Sequence, residues 1–352
     1  DEPRMYKKLG LSLSELSNTE VHILGFKSTK IYSDQAIVFH PVFSFNRISI
    51  ARFLAPFRFL SECLKINPDV LIVNTFELII PSLFIKTFKK SKLIYDVREN
   101  HRKNIKYLGV YSGPIKTILY LGVSLIEFIS TPFIDCFILA EKCYSEELNL
   151  PNSKTFVIQN KFESNQIERK VYQEDKTVFI FSGTIHKSTG IYNAIDFVKE
   201  LISLGHKCEL IISGFVNSRS LKNELDMIEL SWITKIYEDY PIDRKIILNA
   251  YKKSDIILAP YIVSPQNERK IPSKFYDALA NGIPIIISKN QFWQEQFSKK
   301  ENVFFINEDK QKNLQLIKDI KSSKSVNSGY NWAHWESEKY KINDLVKFLD
   351  IP

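Results

Sequence analysis

No CxxC pair and no close grouping of cysteine with histidine occurs in this sequence. Its four cysteines, Cys63, Cys136, Cys143 and Cys208, and its six histidines are dispersed. That argues against a zinc ribbon and a disulfide framework, fits a reducing cytoplasm, and leads us to expect no metal. Glycine is scarce, with 11 residues, a compositional bias that no site requires. No block of five or six basic residues accompanies the formal net charge of +8. A nucleic-acid arm is therefore not expected, whereas anionic lipid or a phosphorylated small molecule suits the charge. The chain opens "DEPRMYKKLG", charged from the start, so no signal peptide is expected. The longest apolar stretch, Thr117 to Ala140, is interrupted by Glu127, Pro132 and Asp135. Each would be costly in mid-bilayer, so the stretch reads as a buried helix followed by a strand, with a helix lying in the membrane interface as the other reading.

What is present is enough for two cores: 352 residues, 44% hydrophobic and 25% charged. Apolar runs at Glu20 to Phe26, Gln35 to Val42, Asp69 to Asn74, Lys92 to Val97, "CFILA" and Thr155 to Asn160 alternate with helical stretches. Lys161 to Lys176 is polar and lacks apolar period, and reads as a linker; the alternation then restarts at Thr177. Buried strands separated by helices predict an α/β protein with parallel sheets. The expected division is a first domain over 1–165, a second over 166–330 and a C-terminal helix over 331–352. Two such domains would face each other across a cleft at the carboxyl ends of their strands, where open α/β sheets bind ligands.

Four strand ends carry chemistry. "YDVRENHRKN" crowds Asp96, Arg98, Glu99 and His101 behind a strand, either as a solvated turn or as groups able to orient a hydroxyl. "FSGTIHKSTG" runs a strand through Gly183 and Thr184 to a short loop with Lys187 and then a helix start, a turn that can accept phosphate, although it is neither GxGxxG nor a P-loop. "APYIVSPQNERK" brings Asn267 and Glu268 towards a helix that begins after Pro272. Glu77 in "VNTFELIIPS" fits a helix-start carboxylate. In "IPSKFYDALANGIPIIIS", Pro272 suits a first turn and Gly282 a left-handed end. At 100° per residue Lys274, Asp277 and Asn281 share a face opposite Phe275, Ala278 and Leu279. Taken alone, that face reads as solvated; among the neighbouring loops it reads as a ligand face.

The stretches "YDVREN", "FSGTIHKSTGIYNAI", "SDIILAPY" and "PSKFYDALANGIPII", at these separations, resemble the GT-B glycosyltransferases of retaining family 4, particularly bacterial members that build capsule, O-antigen or other surface polysaccharides. The resemblance covers nearly the whole chain. It implies two Rossmann-like domains, a C-terminal helix that returns to the first, and a start after the family's first strand. It implies transfer of a sugar, with retention, from a nucleotide-sugar, UDP- or GDP-linked, to a glycan or polyprenyl-diphosphate-linked acceptor, without metal or other cofactor. The protein would work in the cytoplasm, as a peripheral protein on the inner face of the membrane. Asp277 matches the second of the family's two donor glutamates, while the first falls on Arg269, with Glu268 one residue out of register. Lys274 would meet the pyrophosphate and act in catalysis. Gly183, Thr184, Lys187, Asn267, Glu268 and Ser273 would complete the donor side. The family's basic pair falls near Thr184 and Thr189, and Lys187 stands in for it. Asp96, Arg98, Glu99 and His101 would form the acceptor side, with Glu99 and His101 catalytic and His101 replacing a histidine that is Arg98 here. Rival readings are a sugar-nucleotide epimerase of the same architecture and a non-catalytic nucleotide-sugar-binding module.

Overall fold

The computed structural model describes residues 3–27, 36–45, 50–107, 112–163, 167, 176–322 and 329–350. Most of the expected linker, and the expected boundary at 165/166, lie outside them. The chain divides into two compact units, Asp1–Glu163 with Trp335–Pro352, and Ser164–His334. Each carries parallel strands and helices in the manner of a Rossmann domain.

In the first unit, β1 (Val21–Phe26) pairs with β2 (Ile37–Phe43) in a two-stranded parallel sheet. A second sheet runs β3 (Val70–Val73), β4 (Lys92–Val97), β5 (Cys136–Leu139) and β6 (Thr155–Val157), all parallel and in that spatial order. The central strands are buried along nearly their whole length, which is why their sequences run apolar without alternation. The C-terminal helix Glu336–Phe348 returns to this unit: Trp335, Ile342, Leu345 and Leu349 pack with Leu9, Ile94, Cys136 and Ile138. Its Glu338 is 1% exposed and binds Lys161 and Lys341.

The long helix Gly113–Ser130 departs from its expected burial. Its inward side carries Val123, Glu127 and Ser130, while Ile118, Leu125 and Phe128 face solvent. The inward stripe is polar because Glu127 is needed there: it accepts from Arg102 Nε at 2.6 Å and from the Tyr95 hydroxyl at 3.3 Å. Burial nevertheless pushes its carboxyl above the ordinary range, against the pull of Arg102.

The second unit holds one six-stranded parallel sheet: β7 (Thr177–Ile185), β8 (Cys208–Val216), β9 (Ile233–Glu238), β10 (Ile256–Ala259), β11 (Ile285–Ile287) and β12 (Val303–Phe305). The spatial order is β12-β11-β10-β7-β8-β9, so the strand order reverses between β7 and β10. In an open parallel sheet that reversal opens a crevice at the strands' carboxyl ends. The helix after β7, Ile191–Ser203, buries Ile191, Ala194, Ile195, Val198 and Leu201, the spacing of one helical face. Side-chain caps start the helices at Arg219, Arg244 and Gln291: Ser218 accepts from Leu221 N, Asp243 from Lys245 N, Asn290 from Trp293 N.

Candidate functional site

The carboxyl ends of β7 and β10 are tied to each other. Gly190, at the start of the helix after β7, has φ of +85°, and a Cβ there would collide with the Pro260 carbonyl. Glycine is thus required both by conformation and by closeness of backbone. Ile262 N donates to Ser188 O at 3.2 Å, and Asn193 Nδ2 donates to Pro260 O at 3.2 Å. The loop between is shaped by His186, whose Nδ1 accepts from Ser188 N at 3.2 Å. Burial and then the charge of Lys187 hold this imidazole below its ordinary pKa.

Into this corner comes the helix Ser273–Ala280. Pro272 precedes it with extended backbone and no side chain caps its first turn. All residues from Lys274 to Ala280 are buried, so the solvated-face reading fails for Lys274 and Asp277 alike. Lys274 Nζ lies 4.4 Å from the Phe181 ring centre and 4.9 Å from that of Tyr261, one residue from β7 and one from the loop after β10. It has no hydrogen-bond partner among the described residues. Burial lowers its pKa from 10.5 to about 7, with Asp277 pulling the other way. A buried ammonium without an acceptor is costly, and an anion placed beside it would relieve that cost.

One turn on, Asp277 is fully engaged. Oδ1 accepts from Arg244 Nη2 at 2.6 Å and Oδ2 from the Tyr251 hydroxyl at 3.1 Å; Tyr251 in turn shares a 2.7 Å hydrogen bond with Ser182 Oγ on β7. Asn281 ends the helix structurally, accepting from Ile167 N at 2.7 Å and donating to Asp277 O at 2.7 Å.

Most of the other donor-side candidates are held by local partners. Gly183, with φ of +87°, has open space where a Cβ would be. Thr184 is exposed and its carbonyl accepts from Thr189 Oγ1 at 3.1 Å. Lys187 is drawn to Glu224 at 3.0 Å, beside the Tyr192 ring, on the side of β8 rather than β10. Asn267 accepts from Ser264 N and donates to Ile262 O, both at 2.9 Å, which braces the loop after β10. Glu268 follows in the same brace, its carbonyl accepting from Asn290 Nδ2 at 3.0 Å. Ser273 is exposed at the helix start.

In the first unit the four acceptor-side candidates do not act as one group. Asp96 is 0% exposed and is held by Arg4, which donates from Nε to both carboxylate oxygens at 3.1 and 3.0 Å and from Nη2 at 2.7 Å. Arg4 Nη1 donates on to Ile158 O at 2.9 Å. Asp96 is thus part of a buried strut, and an acceptor could reach it only by displacing Arg4. Arg98 offers its carbonyl to the Tyr144 hydroxyl at 3.3 Å. Glu99 is exposed and accepts from Asn104 Nδ2 at 2.7 Å. His101 begins a helix and stands edge-on to Phe76, ring centres 5.2 Å apart. Burial lowers its pKa despite the opposing charge of Glu99. It is therefore mostly neutral at pH 7, a state in which an imidazole can accept a proton. Glu77 pairs with Arg52 at 2.7 Å. Among the described residues no group of three His, Cys, Asp or Glu is gathered as metal ligands would be.

Sequence reasoning missed Phe181 and Tyr261, which flank Lys274, and Arg244 and Tyr251, which hold Asp277. Arg244 and Tyr251 lie on one helix at a spacing that carried no motif, and nothing local marks Arg4 as the partner of Asp96.

Residues 162–328 match the family described as glycosyl transferases group 1. No curated protein matches the sequence. Among solved structures, sucrose-phosphate synthase from Thermosynechococcus elongatus superposes with a TM-score of 0.68 at 12% identity, covering 97% of this chain and 92% of that one. HepE from Anabaena, solved with UDP and glucose, gives 0.60 at 12% identity over 89% and 86%. A UDP-N-acetylglucosamine 2-epimerase gives 0.58 at 13% identity over 99% and 93%. At such identities the structures speak for the fold, which is GT-B.

Proposed function

We propose that this glycosyltransferase moves a sugar from a UDP- or GDP-linked donor to a hydroxyl of a glycan acceptor, carried on a polyprenyl diphosphate, with retention of configuration, in the building of a surface polysaccharide. The observation that carries the donor half is Lys274: a buried amine without a hydrogen-bond partner among the described residues, between two aromatic rings at the point where the sheet order reverses. Breaking a sugar–phosphate bond places charge on the departing diphosphate, and a cation already stripped of water stabilises that charge strongly. Diphosphate arriving at Lys274 would also raise its pKa and fix it in the charged form. Asp277, one turn further, would accept the ribose hydroxyls in place of one of its present donors. His101 and Glu99 on the acceptor side would take the proton of the attacking hydroxyl or orient it.

The test is release of UDP or GDP from a panel of nucleotide-sugars by the purified protein, with and without polyprenyl-diphosphate glycans, and the anomeric configuration of the product by NMR. Acceptor-dependent release with retained configuration is the expected outcome. No release and no thermal stabilisation by any nucleotide would overturn the proposal. A changed sugar formed without acceptor would favour epimerisation, since a 2-epimerase shares the fold.

A further inference from the structure

Among the described residues the helical segment Gly113–Phe133 is the one helix long and apolar enough to cross a membrane, yet only 17% of its 18-residue apolar window is buried. Ile115, Ile118, Leu121, Leu125 and Phe128 recur every three or four residues along its outer side, each more than half exposed. A soluble helix normally turns such a stripe inward; this one turns it outward. The neighbouring helices do the same. Ile79–Lys89, which packs against it, exposes Phe84 and Phe88 in mutual ring contact at 4.3 Å. Beside that helix, Phe53 and Phe57 of the segment Ile50–Ile66 are 78% and 69% exposed. Exposed apolar groups on this scale mark a surface that is covered in use.

The charge around this surface is one-sided. The helices Ile50–Leu54, Ala55–Ile66, Ile79–Lys89, His101–Tyr107 and Gly113–Ser130 carry nine Lys and Arg against two Asp and Glu. Five of these cations are already paired, Lys65 with Glu62, Arg102 with Glu127, Arg52 with Glu77, Lys86 with Asp135 and Lys103 with Glu147, so the positive excess among the described residues rests on Arg58, Lys89, Lys106 and Lys116. Arg58, Lys89 and Lys106 stand exposed at the margins. A second copy of the same face would bring cation against cation, whereas an anionic lipid surface complements it and dissolves its apolar side chains.

We propose that this face of the first unit docks on an anionic bilayer, with Gly113–Ser130 lying in the headgroup boundary rather than crossing it. Crossing would tear Glu127 from Arg102 and Tyr95 and carry a carboxyl into hydrocarbon, while lying flat keeps the inward side packed on its own sheet. Docking depends on this surface alone, and not on the sugar-transfer reading.

Vesicle flotation tests it, using phosphatidylethanolamine with phosphatidylglycerol against pure phosphatidylcholine, at low and high salt. The full chain floats with anionic vesicles at low salt and far less with neutral ones. Ile118→Ser/Leu125→Ser/Phe128→Ser weakens binding at least about tenfold, and Lys89→Glu/Lys106→Glu/Lys116→Glu does so by a similar factor. Both variants keep the circular dichroism and thermal unfolding midpoint of the parent, so loss of folding is separated from loss of docking. Failure of the parent to float, equal binding to neutral vesicles, or a self-association in solution that the serine variant abolishes would each overturn the proposal.

Discussion

Replacing Lys274 by methionine removes a charge from a place where burial is nearly complete, at 6% exposure. The amine's pKa falls from 10.5 to about 7 there, which caps the cost of holding its charge at about 5 kcal/mol. Two ring faces, at 4.4 and 4.9 Å, offset about 1 to 2 kcal/mol of that, and local relaxation offsets more. A net gain of about 2 kcal/mol on substitution by methionine is the working figure, since the methionine fills much the same space. In a unit of this size that is a rise in Tm of about 4 to 8 °C for the ligand-free protein.

The sign with pH follows from linkage. Between pH 7 and 10.5 the unfolded chain carries a proton on Lys274 that the folded chain has lost, so the parent becomes more stable as pH rises through that window. The advantage of Lys274→Met is therefore full below pH 7, shrinks through the window and is nearly gone above 10.5. Differential scanning calorimetry at pH 6.5, 8 and 9.5 measures it. With UDP or GDP at about a hundred times Kd, the parent gains about 2.7 kcal/mol, reversing the order of the two proteins if the variant no longer binds. A variant less stable than the parent at pH 6.5, or a gain that does not change with pH, would show that Lys274 is satisfied in the folded state and refute the reasoning.

Asp277→Asn strips the counter-charge from Arg244 and costs about 2 to 3 kcal/mol by urea unfolding; calorimetric titration shows in addition at least a tenfold loss of nucleotide affinity if the carboxylate takes the ribose. Gly190→Ala has to place a Cβ against the Pro260 carbonyl at a left-handed backbone, and costs about 2 kcal/mol or more, seen as a lower urea midpoint with unchanged slope. Arg4→Met leaves Asp96 buried and unpaired and costs about 3 to 5 kcal/mol; a variant that unfolds at the parent's midpoint would make Asp96 available for another role after all.

These perturbations separate what the chain discloses from what only folding assembles. Strands β10 and β11 were legible because "IILA" and "III" are apolar without alternation, the pattern of strands covered on both faces. The two α/β halves followed from such runs. The helix over Gly113–Ser130 misled because composition reports how much apolar surface exists and not which side turns inward. That side is fixed by Glu127, and its partner Arg102 lies 25 residues away on another helix. The residue types of the candidate site were legible too, in Lys274 and Asp277, whereas their surroundings came from Phe181, Arg244, Tyr251 and Tyr261, on other elements.

The two aspartates singled out by motif make the difference concrete, because each is buried and each is bound by an arginine. Asp96 is closed on every side: Arg4 is 1% exposed, meets both its oxygens, and spends a further nitrogen on Ile158. Asp277 is held by a guanidinium that is 24% exposed and by one phenol, so the phenol can give way to a ligand hydroxyl while the carboxylate keeps its counter-charge. Beside Asp277 stands an amine with no hydrogen-bond partner among the described residues, and beside Asp96 stands Arg4, already bound to it and to Ile158. A buried charge without a partner calls for completion from outside the chain, and that separates the pair Lys274 and Asp277, where we propose that a ligand binds, from the pair Arg4 and Asp96, which is a strut.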